Sequence, residues 1–257
     1  MAHIVTRGLV LREVNYKESD KILTVLTEEG GRRTVKARGC RRKNSPLAAS
    51  AQLLVWSDMT LFEYQDYYTL NEASSLDQFW GVKGDLVKLA LGSYFAEVAE
   101  TVAEEGVPDP PILPLLLNSL YAMDKLDKPL SLVKAAFELR LLCLSGYEPL
   151  LDACAVCGVS DPAEPRLHLK EGVLHCAACR GEVGDGVSMP LDGPALAAMR
   201  RVAYGDPKRL FSFSLPEESL RRLGDVCEAF LMTQLERGFR TLDFYKQLQA
   251  PLAAPET

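Results

Sequence analysis

Over the first eighty residues the apolar positions fall in short runs. Leu9 to Val14, Ile22 to Thr27, Arg32 to Gly39, Gln52 to Tyr64 and Tyr67 to Ala73 are rich in Val, Leu, Thr and aromatic residues. Turn signals at Glu28-Glu29-Gly30-Gly31, Asn44-Ser45-Pro46 and Gln65-Asp66 break them apart. The pattern predicts five strands, enough to close a small barrel of the oligonucleotide-binding (OB) type, whereas a three-stranded SH3-like module needs fewer. From about Val82 the period changes, with Val87, Leu91, Tyr94, Phe95, Val98 and Val102 recurring at helical spacing. Gly106 and Pro108-Asp109-Pro110-Pro111 are expected to stop that helix. Further helices are expected over Ile112 to Leu126, Leu130 to Leu144, Pro194 to Ala203 and Pro216 to about Gln249.

The expected fold class is therefore α+β and multidomain. An OB-type barrel occupies residues 1–80, and a helical bundle domain takes 81–150 and 191–250. A four-cysteine zinc module is inserted at 151–190, and a frayed tail follows at 251–257. There is no internal repeat and no long low-complexity tract.

Charge changes the picture. The 257-residue chain has a formal net charge of −6, yet residues 1–50 hold eleven Lys and Arg against five Asp and Glu. Between Glu29 and Asp58 there is no acidic residue, while Arg32, Arg33, Lys36, Arg38, Arg41, Arg42 and Lys43 crowd one short segment. Such segregation points to a local anion site, and a polyanion such as nucleic acid is the natural ligand. On a strand, Arg32, Thr34, Lys36 and Arg38 share one face, with Val35 and Ala37 on the other. Arg41, Arg42 and Lys43 carry the charge into a loop with Asn44 and Ser45, whose side chains also suit phosphate. Trp56, Phe62, Tyr64, Tyr67 and Tyr68 fall on the last two expected strands, where exposed rings stack bases. The plain alternative is a solvated basic face with core aromatics.

The 47% hydrophobic and 25% charged composition is that of a soluble globular protein. Arg7, Arg12 and Glu13 interrupt the start too early for a signal peptide, and no apolar stretch approaches the roughly 20 residues that span a bilayer. The expected location is the cytoplasm, associated with the nucleoid.

Four of the seven cysteines form Cys154-x-x-Cys157 and, eighteen residues on, Cys176-x-x-Cys179. Each Cys-x-x-Cys turn aims two thiolates at one point, and two such turns complete a tetrahedron, so the spacing predicts one structural zinc per chain. Gly158 and Gly181 are expected to ease the turns. His175 is a minor alternative ligand. Cys40, Cys143 and Cys227 are expected to be packed as small hydrophobes. No Gly-Lys pair exists for a P-loop, and there is no G-x-S-x-G. Neither cysteine pair follows a proline as a zinc deaminase requires. No catalytic site is read, and the protein is expected not to be an enzyme.

Tyr16-Lys17-Glu18-Ser19-Asp20-Lys21-Ile22-Leu23, Thr27, Gly31, Ala37-Arg38-Gly39-Cys40-Arg41-Arg42 and Ser45 resemble the N-terminal signature of the bacterial recombination mediator RecO family. Gly146-Tyr147-Glu148-Pro149-Leu150-Leu151-Asp152, running into Cys154-Ala155-Val156-Cys157-Gly158, is similar to that family's entry into its cysteine-rich module. The resemblance implies binding of single- and double-stranded DNA, ATP-independent strand annealing, and help to the RecA recombinase in recombinational repair. It implies RecR and RecF as partners and docking of the acidic tail of single-strand-binding protein on the helical domain. An RNA-binding or translation-associated zinc protein is the alternative, since barrels and zinc modules also serve RNA.

Overall fold

Residues 2–65, 67–108 and 111–250 are described by a computed structural model of the chain. Asp66 of one expected turn, Asp109-Pro110 of the first helix stop, and the 251–257 tail lie outside the described residues.

Strand β1 (Ala2–Tyr16) is far longer than the run Leu9 to Val14 because two neighbours share it. Ala2 to Leu9 pair with β4 (Trp56–Tyr64), and Gly8 to Tyr16 pair with β2 (Asp20–Thr27). Its first half hides from pattern reading, since Val5 is exposed and Thr6 buried, the reverse of their polarity. Between Val10 and Arg12 the register shifts, and Leu9, Val10 and Leu11 are all buried there. Strand β3 (Gly31–Ala37) pairs antiparallel with β2 and, at Val35–Tyr68 and Lys36–Thr69, parallel with β5 (Tyr67–Asp77). These pairings close a five-stranded barrel in the order β1-β2-β3-β5-β4.

Strand β3 stops before Gly39, whose φ of +63° turns the chain, and β4 starts only after Leu54, with φ of +57°. Between them the backbone makes successive tight turns, Arg42 N–H to Gly39 O, Ser45 N–H to Arg42 O and Ala48 N–H to Ser45 O. This segment sends Cys40, Leu47 and Ala51 into the barrel core beside Val10, Leu23, Val25, Val35, Met59 and Leu61. The basic stretch is thus anchored by buried neighbours. Gly31 is required at the start of β3: its φ is +60°, and an added Cβ would lie 1.8 Å from Val107 O.

The chain divides into two compact units. The first joins the barrel to α1 (Trp80–Lys83), α2 (Leu86–Val102), α3 (Ile112–Lys125) and α7 (Arg240–Gln249). Asp85 caps α2 by accepting the Val87 and Lys88 N–H groups, which sets the helix start beyond Val82. The helix expected from Pro216 to Gln249 is two helices. It breaks after Gln234, where Glu236 takes a left-handed φ of +51°, two residues before Gly238. The returning chain seats Phe239 edge-on against Tyr94, with ring centroids 5.7 Å apart, and Glu97 accepts the Thr241 N–H. Those long-range contacts outweigh the local helical propensity.

The second unit contains α4 (Leu130–Leu144), a three-stranded sheet ordered β7-β6-β8, α5 (Gly193–Tyr204) and α6 (Glu217–Gln234). Its strands are β6 (Pro165–His168), β7 (Val173–Cys176) and β8 (Ser188–Pro190). Helix α4 is buried nearly all round, charged residues included. Lys134 Nζ lies 2.8 Å from both Glu138 Oε1 and Glu228 Oε2. Burial opposes the charge, but the two carboxylates prevail and raise the lysine from 10.5 to about 12. Its contribution to stability is therefore intact below pH 10.5 and lost as pH rises through about 12. Lys134→Ala removes the cation these carboxylates share and is expected to cost about 3–5 kcal/mol in urea unfolding; a loss under about 1 kcal/mol would contradict this reading of the cluster.

Among the described residues no helix is long and apolar enough to cross a membrane. Cys40 and Cys227 are buried as expected, and Cys143 is half-buried.

Candidate nucleic-acid interface and four-cysteine cluster

The seven basic residues do not act alike. Arg32 is engaged within its own unit: its Nε donates to Ala103 O at 3.0 Å, and its backbone pairs with Glu104 and Gly106. Beside it, the Thr34 hydroxyl donates to Glu105 Oε1. Arg33 points to the opposite side of β3 and stacks on the Tyr68 ring, 4.4 Å from its centroid. The Tyr68 hydroxyl in turn donates to Glu63 at 2.9 Å. Lys36 pairs with Asp20 at 3.4 Å and lies 4.9 Å from the Tyr16 ring. Arg38, Arg41, Arg42 and Lys43 are exposed, and Arg38 and Arg42 line one hollow. Outward cations therefore cluster around the turn after β3, and Arg32 and Arg33 are tied into the fold.

This turn is held to the β1–β2 connection. Asp20 Oδ1 accepts the Gly39 N–H at 2.8 Å, Arg41 N–H donates to Ser19 O at 3.0 Å, and the Arg41 guanidinium donates to Lys17 O at 3.2 Å. The Gly39 N–H, with help from Lys36 and Ser19, lowers the Asp20 carboxyl below its ordinary range against the opposing effect of desolvation. Its share in fixing the turn is present above the ordinary carboxylate value and fades as pH falls through the lowered one. Binding that depends on this turn should accordingly weaken in acid.

Next to the turn lies a cleft of about 840 Å³ lined by Tyr16, Tyr64, Tyr67, Tyr68, Lys36 and Arg38, with His3 and Phe62 in ring contact on its wall. A smaller hollow of about 360 Å³ is lined by Arg42, Asn44 and Ser45, and Arg38 and Asn71 line both. Of the aromatic residues singled out from sequence, Phe62, Tyr64, Tyr67 and Tyr68 line the cleft and Trp56 does not. In the sequence Tyr16 stands out only as the first residue of the Tyr16–Leu23 family signature. Its place in the cleft follows from the β1-β2-β3 meander, which sets its ring by Lys36 across the end of β2, and from the β3–β5 pairing that brings Tyr68 alongside; no local signal marks it.

The second site is built in the other unit. Gly158 N–H bonds Cys154 O at 2.9 Å with φ of +76°, forming the first knuckle, and β7 delivers Cys176. Gly181 plays no such part: its φ is not positive, and the chain there is a 3-10 turn, Ala177–Glu182. Arg200 on α5 braces the knuckle by donating to Leu151 O, Asp152 O, Ser160 O and Asp161. The Tyr204 hydroxyl donates to Pro149 O and accepts the Leu151 N–H, which fixes the entry to the module.

The four Sγ atoms of Cys154, Cys157, Cys176 and Cys179 lie within 4.8 Å of one another. Cys154–Cys176 and Cys157–Cys176 separations are 4.0 and 3.9 Å. Metal–sulfur bonds of about 2.3 Å in a tetrahedron place sulfurs about 3.8 Å apart, so the set fits one soft four-coordinate ion with no open position. Burial opposes ionisation of Cys154, yet the N–H groups of Cys157, Cys176 and Val156 bring its thiol down to about 6. Cys179, hydrogen-bonded to Cys176 and partly desolvated, is pushed the other way. His175 is not a ligand. Its Nδ1 donates to Cys176 O at 3.0 Å, so Nε2 accepts the Ser188 hydroxyl at 2.8 Å and both nitrogens are used.

A closed β-barrel bearing an aromatic, cation-rimmed cleft, in a chain that also carries four thiols placed to hold a metal ion, defines an α+β protein of the OB-barrel class. Residues 1–79 match the family described as Recombination protein O N terminal, and residues 83–243 the one described as Recombination protein O C terminal. The chain belongs to the RecO family. It is 34% identical over 251 residues to the DNA repair protein RecO of Acetivibrio thermocellus, covering 96% of this chain and 98% of that one. It is 30% identical over 246 residues to the DNA repair protein RecO of Alkaliphilus metalliredigens, covering 95% and 99%. Its identity to the DNA repair protein RecO of Symbiobacterium thermophilum is also 30%, covering 95% and 96%.

Proposed function

We propose that this protein is a DNA-binding recombination mediator that binds single- and double-stranded DNA through its barrel. The observation that carries this reading is the set of exposed cations Arg38, Arg41, Arg42 and Lys43 on the turn after β3, joined to the aromatic cleft through Lys36 and Arg38. Arg32 and Arg33 belong to the same basic segment and contribute to its field while being held by the fold. The mechanism is charge neutralisation: the cations reduce repulsion between two phosphate backbones, so complementary bases pair without ATP. Contacts to the backbone position a strand without reading its sequence.

Family membership supports a role in recombinational DNA repair, with assistance to recombinase loading and no catalysis of its own. It also supports RecR and RecF as partners, docking of the single-strand-binding protein tail, and a cytoplasmic, nucleoid-associated location. The ion at Cys154, Cys157, Cys176 and Cys179 is zinc, one per chain, and its role is structural because four thiolates leave no position for water.

The test is annealing of two complementary oligonucleotides followed by fluorescence quenching, without nucleotide. The expected result is acceleration over the protein-free rate, unaffected by ATP and suppressed by high salt. Binding without any acceleration would reject the annealing step, and stronger competition by RNA than by DNA of the same sequence would favour an RNA-binding protein.

A further inference from the structure

The cleft and the turn beside it present two different chemistries, and they select different nucleic acids. Around the cleft, Tyr67 is 76% exposed, Tyr64 48% and Tyr16 42%. Three large rings left in solvent around one cleft are an unusual arrangement unless a flat partner covers them. Tyr64 and Tyr67 are register partners at the end of the β4–β5 hairpin. Tyr16 comes from the end of β1, and Lys17 and Lys36 lie 5.5 and 4.9 Å from its ring centroid. Tyr68 is excluded as a platform because, unlike the other three, it is half-buried, with the Arg33 guanidinium 4.4 Å from its ring centroid and Glu63 holding its hydroxyl.

A volume of about 840 Å³ is enough for one or two nucleobases and too small for a duplex. In a duplex each base face is covered by its neighbours, so exposed rings have nothing to stack on except at an end. In a single strand every base offers a free face. The cations of the turn, by contrast, address phosphates, which both forms carry. Arg38 lines both the cleft and the smaller hollow with Arg42, Asn44 and Ser45, so a strand whose bases enter the first has its backbone directed to the second.

Building on the proposed DNA-binding role, we propose that Tyr16, Tyr64 and Tyr67 form a stacking platform for unpaired bases. Single-strand binding uses platform and turn together, and duplex binding uses the turn alone. The platform accepts any base, since stacking requires only a π-face.

The full-length chain tests this in fluorescence anisotropy with three probes: oligothymidylate, an abasic strand of equal length and a duplex of equal length. The variants are Tyr16→Ala/Tyr67→Ala, Tyr16→Phe/Tyr67→Phe and Arg38→Glu/Arg41→Glu/Arg42→Glu, each with its melting temperature measured. The alanine pair is expected to lose roughly tenfold per ring on oligothymidylate, to match wild type on the abasic strand and the duplex, and to keep the wild-type salt slope. The phenylalanine pair should retain oligothymidylate affinity, because its rings still stack. The arginine variant should lose affinity for all three probes. Equal losses on duplex and single strand in the alanine pair, or no loss on oligothymidylate, would overturn the platform. If the arginine variant alone loses binding, the DNA-binding role stands without the platform. If wild type binds none of the probes, both fall.

Discussion

Cys154→Ala and Cys179→Ala proteins are expected to purify with background metal, while the wild-type chain carries stoichiometric zinc. Removing one thiolate leaves a three-coordinate site, and the remaining sulfurs, all within 4.8 Å of one another in the intact cluster, lose the ion that holds them together. Structural zinc in small finger peptides binds with about 10–16 kcal/mol near neutral pH, and that free energy is folding free energy for the segment it closes. The module between Leu150 and Leu191 should therefore lose protection from hydrogen exchange. Arg200 and Tyr204 should keep a residual tether at its entry. The barrel belongs to the other compact unit, so oligonucleotide affinity should stay within a few-fold of wild type. Elemental analysis and exchange mass spectrometry check both halves, and full metal content in either variant would overturn the ligand assignment.

The triple reversal Arg38→Glu/Arg41→Glu/Arg42→Glu is expected to weaken single-strand binding by at least about a hundredfold at 0.1 M salt. At a slope of about −0.7 per phosphate contact, each contact contributes roughly fivefold at 0.1 M relative to 1 M salt, and three contribute about a hundredfold. Repulsion from the three introduced carboxylates adds to the loss. All three side chains are exposed, so the barrel core of Val10, Leu23, Val25, Val35, Met59 and Leu61 should be undisturbed. The Arg41 bond to Lys17 O is lost, while the backbone bond Arg41 N–H to Ser19 O and Asp20 on Gly39 N–H still hold the turn. Wild-type affinity in a variant with an unchanged melting temperature would mean that the basic turn is only a solvated face.

What was legible in the sequence was local. Each Cys-x-x-Cys encodes its own knuckle, so the cluster could be placed from spacing alone, and His175 needed only its hydrogen bonds to be set aside. Strands β2 and β5 and helices α3 and α4 fall close to where the residue pattern puts them. Strand β2 is buried from Leu23 to Thr27, and α3 and α4 bury most of their apolar positions, while β5 follows from its β-rich composition and the turn before it. Long-range pairing hid the rest. Arg32 and Arg33 look the same in sequence as Arg41 and Arg42. Yet Arg32 is claimed by a carbonyl 71 residues away and Arg33 by Tyr68 across the barrel seam. Tyr16 joins Tyr64 and Tyr67 only when β3 meets β5. The break between α6 and α7 was signalled weakly by Gly238, and its cause, Phe239 against Tyr94, is a contact that no window of sequence contains.

The most direct test of the DNA-binding account is wild-type affinity for a fluorescent single-stranded oligonucleotide across a salt series. With Lys36, Arg38, Arg41, Arg42 and Lys43 facing phosphate, log K should fall against log salt with a slope of about −3.5. A slope near zero, or no binding at low salt, would contradict the account.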